Sequence, residues 1–131
     1  MCGRVVTIMS AAAAMLLFSA GSSAHHGSGA VYDRSQTIEV AGTVIDVQFL
    51  NPHVMIFFDV TGEDGTTVTW SAVLTSRNRL ARVDGWNADT VRRGDRVVSR
   101  GSPARSGAPS VWIEQLYIDG RALLLIPGGA G

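Results

Sequence analysis

The sequence predicts an all-β fold: a small OB-like Greek-key barrel of five to six strands, with one short helix between strands three and four. Three observations carry that expectation. Stretches rich in β-branched residues, several alternating apolar with polar, recur from residue 37 onward and are punctuated by Gly, Pro, Asn and Asp. The one change to a helical period falls between the third and fourth of them. The first stretch carries a glycine near its middle, where a strand can bend and so serve two halves of a barrel. Three strands, a helix and two more strands is the order of the OB-fold. A split sandwich or an incomplete lipocalin-like barrel is the structural alternative.

The elements follow in order. Residues 1–24 read as a secretory signal: Arg4 in the n-region, the apolar run Ala11 to Ala20, and small residues at Ser22 and Ala24 for cleavage. A cut after Ala20 would place Phe18 where signal peptidase needs a small side chain. The run is also shorter than the ~20 residues of a membrane-spanning helix, so no membrane insertion is expected after cleavage. Cleavage after Ala24 makes His25 the first residue of the mature protein. Residues 25–36 are polar and aperiodic and read as an N-terminal arm. The barrel is expected over 37–126, and the Gly-rich 127–131 reads as a tail.

Within the barrel, Thr37 to Leu50 reads as a long strand that changes face near Gly42. Asn51-Pro52 interrupts it, because proline lacks an amide donor and restricts its predecessor. "HVMIFFDV" and "TTVTWSAVL" read as a hairpin turning at Asp64-Gly65. Thr75 or Ser76 can cap a short helix with Leu80 and Val83 three apart, stopped by Gly85. A fourth strand begins at Arg96, Ser102 to Pro109 reads as a loop, "SVWIEQLYI" is a fifth strand and "RALLLI" a short sixth. The expected core is Val40, Val44, Val47, Ile56, Phe58, Val68, Val98, Ile113 and Ile118.

Composition narrows the function. The chain has 131 residues, enough for one compact domain, and its 11 basic and 11 acidic residues cancel. Bulk electrostatic attraction to nucleic acid or to an anionic membrane is therefore not expected. The single cysteine, Cys2, leaves with the signal, so the mature chain has neither disulfides nor thiolate metal sites.

The chain's three histidines are His25, His26 and His53. A histidine at a free N-terminus can chelate a metal through its α-amine and its ring Nδ1 together. One more imidazole, from His53 or neighbouring His26, completes a three-nitrogen set that suits copper(II). Tyr32, Asp33 or Asp59 could add oxygen. The plain alternative is a solvated pair of histidines in an arm, with His53 satisfying backbone groups at a strand break. No HExxH pattern or zinc knuckle is present.

Together, "AHHGS…YD", "GTVIDVQFLNPHV", the tryptophan of "VTWSA", Gly85-Trp86, "RRGDRVVSRGSPARSG" and Asp119 to Arg121 resemble a family of small secreted proteobacterial proteins classed as a domain of unknown function. The likeness covers nearly the whole mature chain. It implies export to the periplasm or beyond and an OB-like barrel, with no established activity, and its motif includes the same three histidines.

A second constellation is basic and aromatic. Arg77, Arg79 and Arg82 fall in the expected helix, Arg92, Arg93, Arg96 and Arg100 follow, and Arg105 is in the last loop. OB barrels bind oligonucleotides and sugars across strands two and three, and Phe57, Trp70, Trp86 and Trp112 could stack on a ligand. Trp70, Arg77, Trp86 and Arg105 are the candidate ligand contacts, with a small anionic ligand or a periplasmic protein partner expected ahead of nucleic acid. No Ser/His/Asp order, carboxylate pair or phosphate loop stands out, so no enzyme is expected. The reading is a non-enzymatic metal-binding module, copper the expected ion. Its rival is a barrel that binds a protein or small ligand while the histidines are structural.

Overall fold

The computed structural model describes residues 27–125. A single helical turn, α1 (Ser28–Val31), precedes β1 (Ile38–Gln48), β2 (Met55–Thr61) and β3 (Thr67–Val73). The helix α2 (Arg77–Asp84), β4 (Arg96–Pro103), β5 (Ser110–Ile118) and β6 (Arg121–Leu125) follow. Antiparallel neighbours run in the order β3-β2-β1-β4-β5-β6. A parallel pairing of Ser71–Val73 with Ser110–Trp112 joins β3 to β5 and closes the first five strands into a barrel. β6 is the extra strand and runs along β5 beyond the point where β3 leaves it. This is the expected OB-like topology, with the helix in the expected place.

β1 shows why one strand can serve two halves of the barrel. Ile38 to Thr43 pair with β4, and Thr43 to Gln48 pair with β2. The register shifts between Val44 and Asp46, so Ile45 is the extra residue of a bulge. Ile38, Val40 and Val44 before the bulge and Val47 and Phe49 after it therefore all reach the core. The change of face, which the sequence suggests near Gly42, lies three residues later. Gly42 instead allows a close approach of strands, since a Cβ there would collide with the carbonyl of Asp59 and the ring of Phe58 on β2.

Local chemistry sets the connections. In the β2–β3 hairpin, Asp64 accepts from the Thr66 amide at 2.9 Å and its hydroxyl at 3.0 Å, and Gly65 takes a φ of 81°. Those hydrogen bonds hold the Asp64 carboxyl below its usual range, the Thr66 amide contributing most. Ser76 caps α2 by accepting from the Arg79 amide at 3.2 Å, and Gly85 ends the helix in the left-handed conformation.

Phe58, Ile56, Leu74, Leu80, Ile113, Leu116, Val44, Val54, Val97 and Val111 are enclosed in the barrel, and Trp86 packs with them. Several expectations need correction. Val68 lies beside the turn of the β2–β3 hairpin and is 44 % exposed. In β4 the buried phase is Val97 and Ser99, so Val98 is only partly covered; two adjacent valines leave that phase undetermined by pattern alone. Val83 is 61 % exposed, because the short helix turns a single side chain, Leu80, fully inward. The arm, read as aperiodic, carries α1 and pairs Tyr32 with Ala104. Residues 1–26 and 126–131, which include the expected signal and tail, lie outside the described residues. Among the described residues no helix is long and apolar enough to cross a membrane.

Candidate functional site

Period-two alternation builds a second apolar cluster on the outside of the barrel. With Val54 and Ile56 turned inward, His53, Met55 and Phe57 face the other way. Met55 pairs with Val73 and Val73 with Trp112, so these three side chains form a row across β2, β3 and β5. Phe57, Ser71 and Ser110 form the next row. An outward tryptophan on a barrel would ordinarily be wet, yet Trp112 is only 6 % exposed. The arm is the reason: Tyr32, Val73 and Trp112 pack as one cluster with Met55 and Ala104 against them.

Two rings flank the Trp112 indole. Tyr32 lies with its centroid 5.7 Å away at a 47° tilt, and His53 meets it edge-on at 5.2 Å and 78°. The Tyr32 hydroxyl is 2.9 Å from Ser110 Oγ, which accepts from Ser71 Oγ at 2.8 Å. The indole Nε1 is buried and has no hydrogen-bond partner among the described residues. An unmet buried donor costs about 1–3 kcal/mol, so the packing around it must outweigh that loss.

The arm is held at several points. The Asp33 amide donates to the Pro103 carbonyl at 2.9 Å and the Arg105 amide to the Val31 carbonyl at 2.9 Å. Arg105 Nε donates to the Gly29 carbonyl at 3.1 Å, and its Nη1 lies 3.7 Å from the Asp33 carboxylate. Asp33 also accepts from the Ser35 hydroxyl and amide and from Gln36. These contacts hold its carboxyl below the usual range, the Ser35 hydroxyl first and the Arg105 charge least.

His53 occupies the turn into β2. Its Nδ1 is 2.9 Å from the Leu74 carbonyl. A carbonyl oxygen only accepts, so Nδ1 carries the proton and the Nε2 lone pair remains open on an exposed ring. An N–H bond of this kind, made by the ring nitrogen that does not hold the metal, fixes the tautomer and orientation of many metal-binding histidines.

The other candidates are scattered. His25 and His26 lie outside the described residues, the first described residue being Gly27. Trp86 is in the barrel core and Trp70 is partly buried against it. Arg77 is exposed at the start of α2, its amide donating to the Leu50 carbonyl at 3.3 Å, and Arg105 is the clamp on the arm. Tyr32 spends its hydroxyl on Ser110, and Asp59 accepts from Thr69 at 2.6 Å. Among the described residues no group of three His, Cys, Asp or Glu side chains could hold a metal ion. Sequence reasoning missed Met55 and Val73, although the inward Val54 between His53 and Met55 is the signal that would have placed both on one face.

A five-stranded OB-like barrel with an N-terminal arm folded over one outer face is the class of protein that these features define. The chain belongs to a family of unknown function, DUF6152, whose profile matches residues 13–111. That match takes in His25, His26 and His53 and ends one residue before Trp112. No curated protein matches the chain.

Proposed function

We propose that this protein is an exported, non-enzymatic copper-handling module of the periplasm, in which His25, His26 and His53 supply nitrogen to one copper(II) ion. The observation that carries the reading is the His53 ring. It is oriented by Leu74 and by Trp112, it offers Nε2 outward, and it stands on the same indole as Tyr32 of the arm. Signal cleavage after Ala24 would leave the α-amine and Nδ1 of His25 as a chelating pair. Two residues of chain before Gly27 can span about 7 Å, so the reading requires the arm to bring Gly27 within about that distance of the His53 ring. Nitrogen donors in a tetragonal set favour copper(II) over harder divalent ions.

Arg105 and Asp33 act here as positioning residues, since both hold the arm rather than the ion. A rival reading makes the barrel a binder of a protein or small anionic ligand, in which His53 does no more than tie the Asn51-Pro52 break to Leu74. The hydrogen bond to Leu74 serves that reading too. The intact mass of the exported protein, together with copper(II) calorimetry, tests the proposal. It requires a chain that starts at His25 and one ion bound per chain, more tightly than by a free His-His peptide. A different first residue, or affinity equal to the peptide's, contradicts it.

A further inference from the structure

The face that presents His53 also presents a soft donor. Met55 lies two residues on, with Val54 turned into the barrel between them, so imidazole and thioether leave the chain on the same side. Met55 packs against the Tyr32, Val73 and Trp112 cluster, and His53 meets the same Trp112 ring. A thioether adds little to copper(II) held by nitrogen, but it is a good ligand for copper(I), which favours soft donors and low coordination numbers. The Trp112 ring beside His53 gives an incompletely hydrated monovalent ion a polarisable neighbour.

We propose that Met55 Sδ and His53 Nε2 form a copper(I) site on this outer face, so that the protein retains copper in both oxidation states. The inference rests on His53 serving as a copper ligand, as in the copper(II) reading, and adds the thioether and the reduced ion. No electron transfer by the protein is implied: each oxidation state is bound as it is supplied.

The test is an anaerobic titration of the mature protein with copper(I) in competition with a bathocuproine chelator, run for wild type, Met55→Leu and His53→Ala, beside copper(II) titrations of the same three proteins. Leucine conserves the volume of methionine, so the cluster should stay packed. Met55→Leu is expected to lose at least tenfold in copper(I) affinity while copper(II) affinity stays within about twofold of wild type. X-ray absorption of the copper(I) form should show a sulfur neighbour in wild type and none in Met55→Leu. Copper(I) affinity and sulfur signal unchanged in Met55→Leu would overturn the inference and leave the copper(II) reading standing. Loss of copper(I) binding in both variants, with copper(II) binding indifferent to His53, would uphold the thioether site and overturn the copper(II) reading instead.

Discussion

At the scale of single residues, the glycines that matter are those against which another strand is pressed. A Cβ on Gly101 would run into the carbonyl of Trp112 across the β4–β5 pair, at the point where that register shifts. Backbone cannot yield as a flexible side chain can, so Gly101→Ala should cost about 1–3 kcal/mol or more, read from the midpoint of urea unfolding. Gly42 was legible in the sequence as a break in a long strand, whereas Gly101 was not: it reads as the end of an ordinary strand before the loop expected from Ser102, and the chain that crowds it is eleven residues away in sequence. His53 was legible as a candidate ligand, because histidines are few and this one follows Asn-Pro. Its tautomer was not, since Leu74 comes beside it only through the pairing of β2 with β3.

At the scale of elements, the arm and the β2–β3–β5 face stabilise each other. Tyr32→Ala removes a nearly buried ring from Trp112 together with one of the two hydrogen-bond partners of the Ser110 hydroxyl. It should destabilise the apo protein by about 2–3 kcal/mol and shift the tryptophan emission to the red as the indole becomes wet. Tyr32→Phe keeps the ring and should cost about 1 kcal/mol. The acid dependence of the arm follows from Asp33. Its folded carboxyl is held below the unfolded value, so its contribution is present above the ordinary aspartate pKa of about 3.9 and is lost as pH falls through the lower folded value. The difference between wild type and Asp33→Asn in hydrogen-exchange protection of the Arg105 amide, which is bound to the arm, should therefore be constant from pH 5 to 8 and close only in stronger acid; a difference that closes near pH 6 would contradict this. The order of strands and helix was legible because alternation and turn residues are local signals. The docking of the arm was not, for Tyr32 finds Ala104 and Trp112 across more than seventy residues, and no local pattern encodes that meeting.

At the scale of the whole molecule, the enclosed barrel core and the outer site are separate clusters, so folding and metal binding should be separable. The metal-free protein is expected to keep the circular dichroism of a β-barrel after treatment with a chelator, because none of the proposed ligands belongs to the core. Whether His53 and the mature N-terminus share one copper(II) ion is read most directly by electron paramagnetic resonance, which counts nitrogen neighbours. Wild type, His53→Ala and a form with one residue added before His25 are compared, each loaded with one equivalent of copper(II). The shared site predicts a set of nitrogen couplings in wild type that loses one imidazole in His53→Ala and loses the chelating amine in the extended form. Each change should weaken affinity by at least tenfold, about 1.4 kcal/mol, with apo stability nearly unchanged. An unchanged spectrum and affinity in His53→Ala, or a large loss of apo stability from that substitution, would contradict the shared site and leave His53 as the tie between the Asn51-Pro52 break and β3.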